Sequence, residues 1–384
     1  MRKHDVIIVG AGPIGSYTAY LLAKKGFDVL ILEKNGSVAY SPACTGIIGA
    51  EAFERFKLRQ DSILSSVKDI VLCSPSGLKL AFRPGSTQAF VVDRIKFDQN
   101  LREAALKNGA SISFGTPCQE IQIKGEHVEV RVNDHRENIK AKAVIISTGF
   151  NKKLLERLGF GSPSDYIHGV QTEVKMDGET AVRIYVGKKI APGSFAWVVR
   201  LGNGRARIGL TTKDHPSIFL KRFLESHHLR DKIEEQGVIL NKIIPVGTLK
   251  RTYSERMLVV GEAAGLMKTT THGGIYYGLI SAQLAAETLT EAFDSGNFGA
   301  SIMEKYEKQW RDMLGTEIKI GHRLRRFFSS LQDWQIDGFF KIAMSDGIMD
   351  LVHKKVKFDW HNDLIFSLVK HSLIKNYFFR RKII

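Results

Sequence analysis

The sequence predicts an α/β chain, α+β overall, in which a Rossmann-type nucleotide-binding domain is interleaved with an antiparallel-sheet domain and followed by a helical C-terminal region. Three observations predict it. The chain opens on a strand, a glycine turn, a helix, a second strand and an acid, from Asp5 to Glu33. Its middle third alternates with strand period, and a buried, parallel-type strand returns at Met257–Val260 before a mostly helical remainder.

Val6 to Val9 form an apolar strand without charge, as a strand buried on both faces requires. Gly10 permits the sharp turn, Gly12 lets backbone approach a pyrophosphate, and Gly15 lets the next helix pack close to the sheet. The helix starts at Pro13 and Ile14, so its N–H groups and positive dipole end face the phosphates. Tyr17 to Lys25 carry it, Gly26 ends it, and Phe27 to Leu32 form the second strand. Glu33, with Lys34 beside it, ends that strand where a carboxylate can accept hydrogen bonds from both ribose hydroxyls. The acid disfavours a 2′-phosphate, so the expected ligand is FAD or NAD rather than NADP.

A loop with Pro42, Gly46 and Gly49 follows, then a short strand at Phe90–Asp93 and a helix over Lys96–Asn108. Strands are expected at Ser111–Phe114, Glu120–Ile123, His127–Val132 and Ala143–Ser147, so the nucleotide domain is interrupted and resumed. Ile167–Lys175, Ala181–Val186, Phe195–Leu201 and Arg205–Thr212 read as an antiparallel sheet, with Asn203-Gly204 a hairpin turn. Ile218–Gln236 reads as a helix, and Ile275–Phe293 as a long one. The expected domains are 1–165 with 243–295 for the nucleotide, 166–242 for the substrate, and 296–384 helical.

No stretch approaches the roughly 18 or more apolar residues of a membrane span. The first strand begins at Asp5, leaving no room for a signal peptide. Cys44, Cys73 and Cys118 are far apart and odd in number, with no CxxC, which argues against a disulfide frame or a metal site. The expectation is a cytoplasmic protein.

The formal net charge of +16 suggests an anionic partner, a phosphorylated substrate or an acidic membrane face, set against plain solubility. Nucleic acid is the weakest choice of anionic partner, because no recognised binding motif accompanies the charge, and no such partner is expected. From Leu351 on, Lys354, Lys355, Lys357, Lys370, Lys375, Arg380, Arg381 and Lys382 are interleaved with Phe358, Trp360, Ile365, Phe366, Leu368, Tyr377, Phe378 and Phe379. That pattern fits peripheral membrane contact, or a docked helix with its cationic face in water. Nothing in the sequence speaks to oligomeric state.

Four further pieces bear on chemistry. Gly261-Glu262-Ala263-Ala264-Gly265 follows a strand; small residues let chain pass under a flat ligand, and Glu262 can accept from a polyol such as ribityl. Lys268-Thr-Thr-Thr-His-Gly-Gly274 opens the helix at Ile275. Gly273 and Gly274 there expose N–H donors of the kind that stabilise negative charge on a reduced flavin. His272 reads as a helix cap or a proton donor. Arg94, in Val92-Asp93-Arg94, can reach phosphate or ribityl oxygens, or form an ordinary surface ion pair. Phe195 and Trp197 share one strand face, either as the wall of a long apolar pocket or as core packing.

Together these residues resemble the geranylgeranyl reductase family, which shares the flavoprotein fold of para-hydroxybenzoate hydroxylase. The likeness runs to about residue 330, through Gly10–Gly15, Cys44-Thr-Gly46-Ile-Ile48, Val92–Arg94, Pro192–Trp197, Gly261–Gly265 and Thr270–Gly278, with Tyr306–Phe328 beyond. Three departures stand out: Glu262 where the family has Asp, Val198-Val199-Arg200 where Phe-Pro follows the Trp, and Thr271-His272 where further glycines occur. The resemblance implies FAD as cofactor and an FAD-dependent reductase that saturates isolated C=C bonds of a prenyl lipid. It implies that Cys44 faces the flavin, as a proton relay or with water in that role, and that Phe195 and Trp197 line the substrate pocket. A flavin monooxygenase of the same fold and a non-catalytic FAD-bearing redox sensor are the alternatives. The electron donor would be NAD(P)H, bound transiently, or ferredoxin, since no second GxGxxG follows a strand.

Overall fold

Val6, Ile7 and Ile8 are fully enclosed, and Val9 is nearly so, because the strand Lys3–Val9 has a parallel neighbour on each side. The computed structural model describes residues 3–36, 43–132, 138–176, 181–345 and 347–371. Two compact units emerge: residues 1–42, 94–166 and 244–318 form one, and residues 43–93, 167–243 and 319–384 the other.

In the first unit, parallel strands run in the order Met257–Val259, Asn138–Ile146, Lys3–Val9, Val29–Leu32 and Ser111–Ser113. The register sets Val9 beside both Leu32 and Ile146, so the strand ends line up along one edge of the sheet. Loops leaving such an edge are where open α/β sheets bind ligands. His127–Val132 and Cys118–Lys124 extend the sheet antiparallel. The helix Pro13–Ala23 packs against Arg94–Lys107 and Ile275–Ser295. The mixed α/β class and the interrupted, resumed nucleotide fold both stand.

Fully buried Trp310 and Tyr306 tie the first part of the helix Ala300–Ser330 to this unit. Tyr306 donates to the Val259 carbonyl at 2.8 Å, and Trp310 Nε1 donates to Thr252 Oγ1 at 2.9 Å. Burial pushes the Tyr306 hydroxyl far above its ordinary value, so it keeps its proton and can donate it here. Residues 296–318, expected in the C-terminal region, therefore fall in the nucleotide unit.

The second unit is built on an antiparallel sheet in the order Ile233–Gln236, Asp165–Met176, Arg205–Thr212, Phe195–Gly202 and Val182–Val186. Ile70–Cys73 then joins in parallel and Lys79–Phe82 antiparallel to it. One face of the sheet packs Val170, Ile208 and Leu210 against Leu220 and Phe223 of the helix Pro216–Leu224. Trp197, Val199 and Leu201 face the other way, onto Val67, Ala89 and Val91 of a three-stranded sheet. Residues 43–93, expected with the nucleotide domain, belong here because their strands pair with or pack on this sheet.

The helix expected over Ile218–Gln236 is overturned. It runs only from Pro216 to Leu224, and Ile233–Gln236 is a strand paired with Asp165–Met176 through Val174 and Gln236. An open sheet edge recruits backbone whose own pattern is polar enough to pass for a helix face, a tertiary override of local propensity. Past residue 330 the described chain is helical, in Asp333–Ala343, Ile348–Lys355 and Asn362–Lys370. Lys375, Tyr377, Phe378, Phe379, Arg380, Arg381 and Lys382 lie outside the described residues. No helix among the described residues is long and apolar enough to cross a membrane.

Candidate functional site

The glycine turn is closed by its neighbours. Gly10 N–H donates to the Leu32 carbonyl at 2.8 Å, and Ser147 Oγ donates to the carbonyls of Val9 and Gly10 at 2.9 and 3.0 Å. A Cβ on Gly15 would stand 2.0 Å from the Gly10 carbonyl oxygen and 2.4 Å from Ser147 Oγ, so no side chain fits. Gly12 is the opposite case: a Cβ there would meet nothing within 4 Å. It is the N-cap of the helix Pro13–Ala23, and no side chain caps that end. Pro13 lacks an N–H, and the other first-turn donors are available to an anion that enters the open space at Gly12.

Glu33 is held where the sequence places it. Its Oε2 accepts the Ala11 N–H at 2.8 Å and its Oε1 the Asn35 N–H at 2.9 Å. A carboxylate has about four acceptor positions, so capacity is left for ribose hydroxyls. Lys34 is exposed. Arg102, absent from the sequence reading, lies buried in the same neighbourhood: its Nη1 donates to the Ala11 carbonyl at 3.4 Å. Burial pushes its guanidinium down from the ordinary value, and the charges of Asp98 and Glu33 oppose that. Its spacing from Asp98 on one helix face was the available signal. Arg94 is the first residue of the helix Arg94–Lys107, buried, and bidentate to Asp98 at 3.0 and 3.2 Å. The ion pair is therefore a buried one, not a surface one.

Ile14 joins the first glycine turn to two later turns of this unit. A Cβ on Gly261 would meet its Cγ atoms at 3.1 Å, and one on Gly278 would meet its Cδ1 at 2.5 Å. The Gly10–Gly15 turn, the Gly261–Ala264 turn and the first turn of the helix Ile275–Ser295 are thus packed on one side chain. Gly261 N–H donates to Ser281 Oγ at 2.9 Å. Gly265, at φ +74°, presses on the Gly247 carbonyl, where a Cβ would stand 2.1 Å from oxygen. Glu262 is half-buried, its Oε1 3.6 Å from where a Cβ on Gly149 would lie.

The next turn closes on itself. His272 N–H donates to the Lys268 carbonyl at 2.8 Å, and Lys268 N–H to the Gly273 carbonyl at 2.9 Å. His272 is left-handed, at φ +59°. Lys268 is buried, and a Cβ on Gly273 would meet its Cε at 2.8 Å. Gly274 is the N-cap of the helix that Ile275 begins, with no side-chain cap. The first unit therefore brings together Gly10, Gly12, Pro13, Ile14, Gly15 and Glu33 with Gly261, Gly265, Gly273, Gly274 and Ile275. Open space at Gly12, an uncapped helix end, a carboxylate at the end of the second strand and a glycine-bared second helix end fit an adenine dinucleotide carrying a flavin.

Within the second unit, Cys44 lies in a loop ahead of the strand Ile47–Gly49, half-buried, and its Sγ accepts the Gly46 N–H at 3.4 Å. The rings of Phe195 and Trp197 are neighbours, centroids 6.0 Å apart and tilted by 55°. Trp197 is 7% exposed within an apolar cluster, so packing accounts for most of its surface, whereas Phe195 is half-buried. No group of His, Cys, Asp or Glu among the described residues could hold a metal ion.

Residues 3–177 match the family described as FAD binding domain. The digeranylgeranylglycerophospholipid reductase of Methanocaldococcus jannaschii is 28% identical over 87% of this chain and 89% of its own length. That of Methanosarcina acetivorans is 27% identical over 97% of this chain and 98% of its own. Among solved structures, a geranylgeranyl bacteriochlorophyll reductase-like protein from Thermoplasma acidophilum covers 100% of both chains with a TM-score of 0.87 at 23% identity. A p-nitrophenol 4-monooxygenase from Pseudomonas putida reaches a TM-score of 0.74 at 19% identity, over 92% of this chain and 98% of its own. These two likenesses are of fold.

Proposed function

We propose that this chain, an FAD-dependent oxidoreductase of the geranylgeranyl reductase family, saturates isolated C=C bonds in the prenyl chains of a glycerophospholipid. The observation that carries the reading is the length of the likeness. Relatives named for that reaction align over 87% and 97% of the chain, so the antiparallel unit falls within the match as well as the nucleotide unit.

Reduced FAD supplies the hydride that adds to one alkene carbon. The protein's part is to bind, orient and keep water out. Glu33 and the Gly12 turn hold the adenosine and pyrophosphate end; Glu262 accepts from the ribityl chain; Arg94 supports the same region. The N–H groups at Gly273 and Gly274 would stabilise negative charge on a reduced flavin held there. Phe195 and Trp197 wall the prenyl pocket, and each buried CH₂ contributes about 0.8 kcal/mol toward positioning. Cys44 passes a proton to the second alkene carbon. NAD(P)H or ferredoxin would be the electron donor to a bound flavin.

The lipid substrate brings the enzyme to a membrane face. Exposed Phe366 and Val369 beside Lys370 on the last described helix offer an apolar and basic contact of that kind.

The test uses purified, FAD-loaded protein with dithionite and a digeranylgeranyl glycerophospholipid under nitrogen. Gain of two hydrogens per double bond by mass spectrometry is the expected product. A product that appears only in air and carries an added oxygen atom replaces this reading with a monooxygenase.

A further inference from the structure

Cys44, Thr45 and Gly46 precede the strand Ile47–Gly49; the Gly46 carbonyl accepts the Val92 N–H at 2.9 Å, while those of Cys44 and Thr45 lie ahead of that ladder. Two side chains of the large sheet donate to these two instead. Arg207 Nη1 donates to the Thr45 carbonyl at 2.6 Å and to the Cys44 carbonyl at 3.4 Å. Gln171 Nε2 donates to the Cys44 carbonyl at 3.0 Å. The far side of the Arg207 fork is filled by Glu173, whose Oε1 accepts from Nε at 3.2 Å and from Nη2 at 2.6 Å. Both Arg207 and Gln171 are buried.

The sheet register explains why these residues meet. Glu173 stands opposite Arg207, Gln171 opposite Gly209, and Trp197 opposite Gly209 from the other side. The two-residue period therefore puts Gln171, Glu173, Arg207, Gly209, Trp197 and Phe195 on one face. A Cβ on Gly209 would stand 2.4 Å from Trp197 Cζ2 and 2.7 Å from Gln171 Cβ, so the indole and Gln171 meet over a bare α-carbon. A buried guanidinium is retained only with its hydrogen bonds satisfied, and here part of its fork is spent on an irregular loop. The thiol loop and the aromatic pair are thus carried by one sheet face.

We infer that Arg207, braced by Glu173, and Gln171 are positioning residues for Cys44, holding its loop on the sheet face that carries Phe195 and Trp197. The inference deepens the reading above and rests on it, since there Cys44 passes the proton. A relay must stand at a fixed distance from its acceptor, and a loop held by charge-assisted bonds meets that demand where a loose one does not.

The test uses the full-length, FAD-loaded protein and two variants, Arg207→Lys, which keeps the charge but loses the planar fork, and Gln171→Met, which leaves the Arg207–Glu173 pair intact. Iodoacetamide labelling of Cys44 is followed by peptide mass spectrometry from pH 6 to 9. Cys73 is buried, and burial pushes the Cys118 thiol up to about 12, so the Cys44 signal stands apart. In both variants Cys44 labels about fivefold faster or more, and kcat for the prenyl lipid falls about 10-fold with KM within about twofold of wild type and flavin content unchanged. Labelling profiles that superimpose on wild type in both variants overturn the inference. So does a kcat loss that tracks lost flavin or a lost melting transition, which marks a purely structural anchor. A Cys44→Ala variant with wild-type kcat overturns the relay reading instead, and the labelling rates then decide the positioning alone.

Discussion

Glu33 Oε2 accepts the Ala11 N–H at 2.8 Å, so the acid that ends the second strand is tied to the glycine turn that ends the first. One carboxylate thereby fixes the glycine turn, and in the proposed site it also meets the ribose. Removing it in Glu33→Ala costs a charge-assisted bond to the ligand of about 1.5–3 kcal/mol. The FAD dissociation constant should rise about 10- to 100-fold, read by flavin fluorescence on titrating apoprotein. Unchanged affinity would show that the ribose is held elsewhere.

Gly12 and Gly15 are three residues apart, yet their substitutions should fail for different reasons. Gly15→Ala drives a methyl into the Gly10 carbonyl and Ser147 Oγ, overpacking that costs about 1–3 kcal/mol. Gly12 has φ −67° and open space, so Gly12→Leu keeps the fold, at about 1 kcal/mol or less, and fills the space proposed for the pyrophosphate. Melting temperature should drop for Gly15→Ala, whereas Gly12→Leu should melt near wild type and purify without yellow colour. A yellow Gly12→Leu protein contradicts the assigned phosphate site.

These contrasts show which parts of the molecule are legible in sequence. The turn from Gly10 to Glu33 is readable because its geometry is local: each glycine answers to a neighbour a few residues away or, like Ser147, at a strand end whose pattern is itself plain. The strand Ile70–Cys73 is not, because its partner Val182–Val186 lies more than a hundred residues on. Ile233–Gln236 reads as helix because its strand state exists only through the edge it joins. Arg102 was missed since its tie to Ala11 depends on how two helices pack. Arg207 and Gln171 were missed likewise, because sheet register sets their neighbours.

Asp337 anchors the helix Asp333–Ala343 to the hairpin of Ile70–Cys73 and Lys79–Phe82. Its Oδ1 accepts from Ser74 Oγ at 2.5 Å, Ser76 Oγ at 2.8 Å and Ser76 N–H at 3.1 Å. Burial alone would raise this carboxyl, and the hydrogen bonds from Ser74 and Ser76 outweigh it, leaving it below the ordinary value. A depressed carboxyl contributes stability that is fully present above its unfolded pKa, near 4, and lost as pH falls through the folded one. Asp337→Asn should therefore be less stable than wild type by about 1 kcal/mol at pH 7. The gap in melting temperature should narrow toward pH 3. A gap independent of pH would mean that the carboxylate's charge plays no part in docking this helix.

His272 holds a left-handed backbone at φ +59°, beside two glycines, in the turn that opens the helix Ile275–Ser295. A side chain there costs about 1 kcal/mol or more that glycine does not pay. The turn's own bonds, His272 N–H to Lys268 and Lys268 N–H to Gly273, are backbone and survive the substitution. His272→Gly should therefore raise stability toward denaturant by up to about 1 kcal/mol, a gain set against the added freedom of the unfolded chain. If the imidazole serves turnover, the same variant should lose kcat while binding FAD as tightly as wild type. A variant that is both more stable and fully active would assign His272 no role beyond occupying the turn. A variant that is less stable would mean that the ring's contacts outweigh the strain of its backbone.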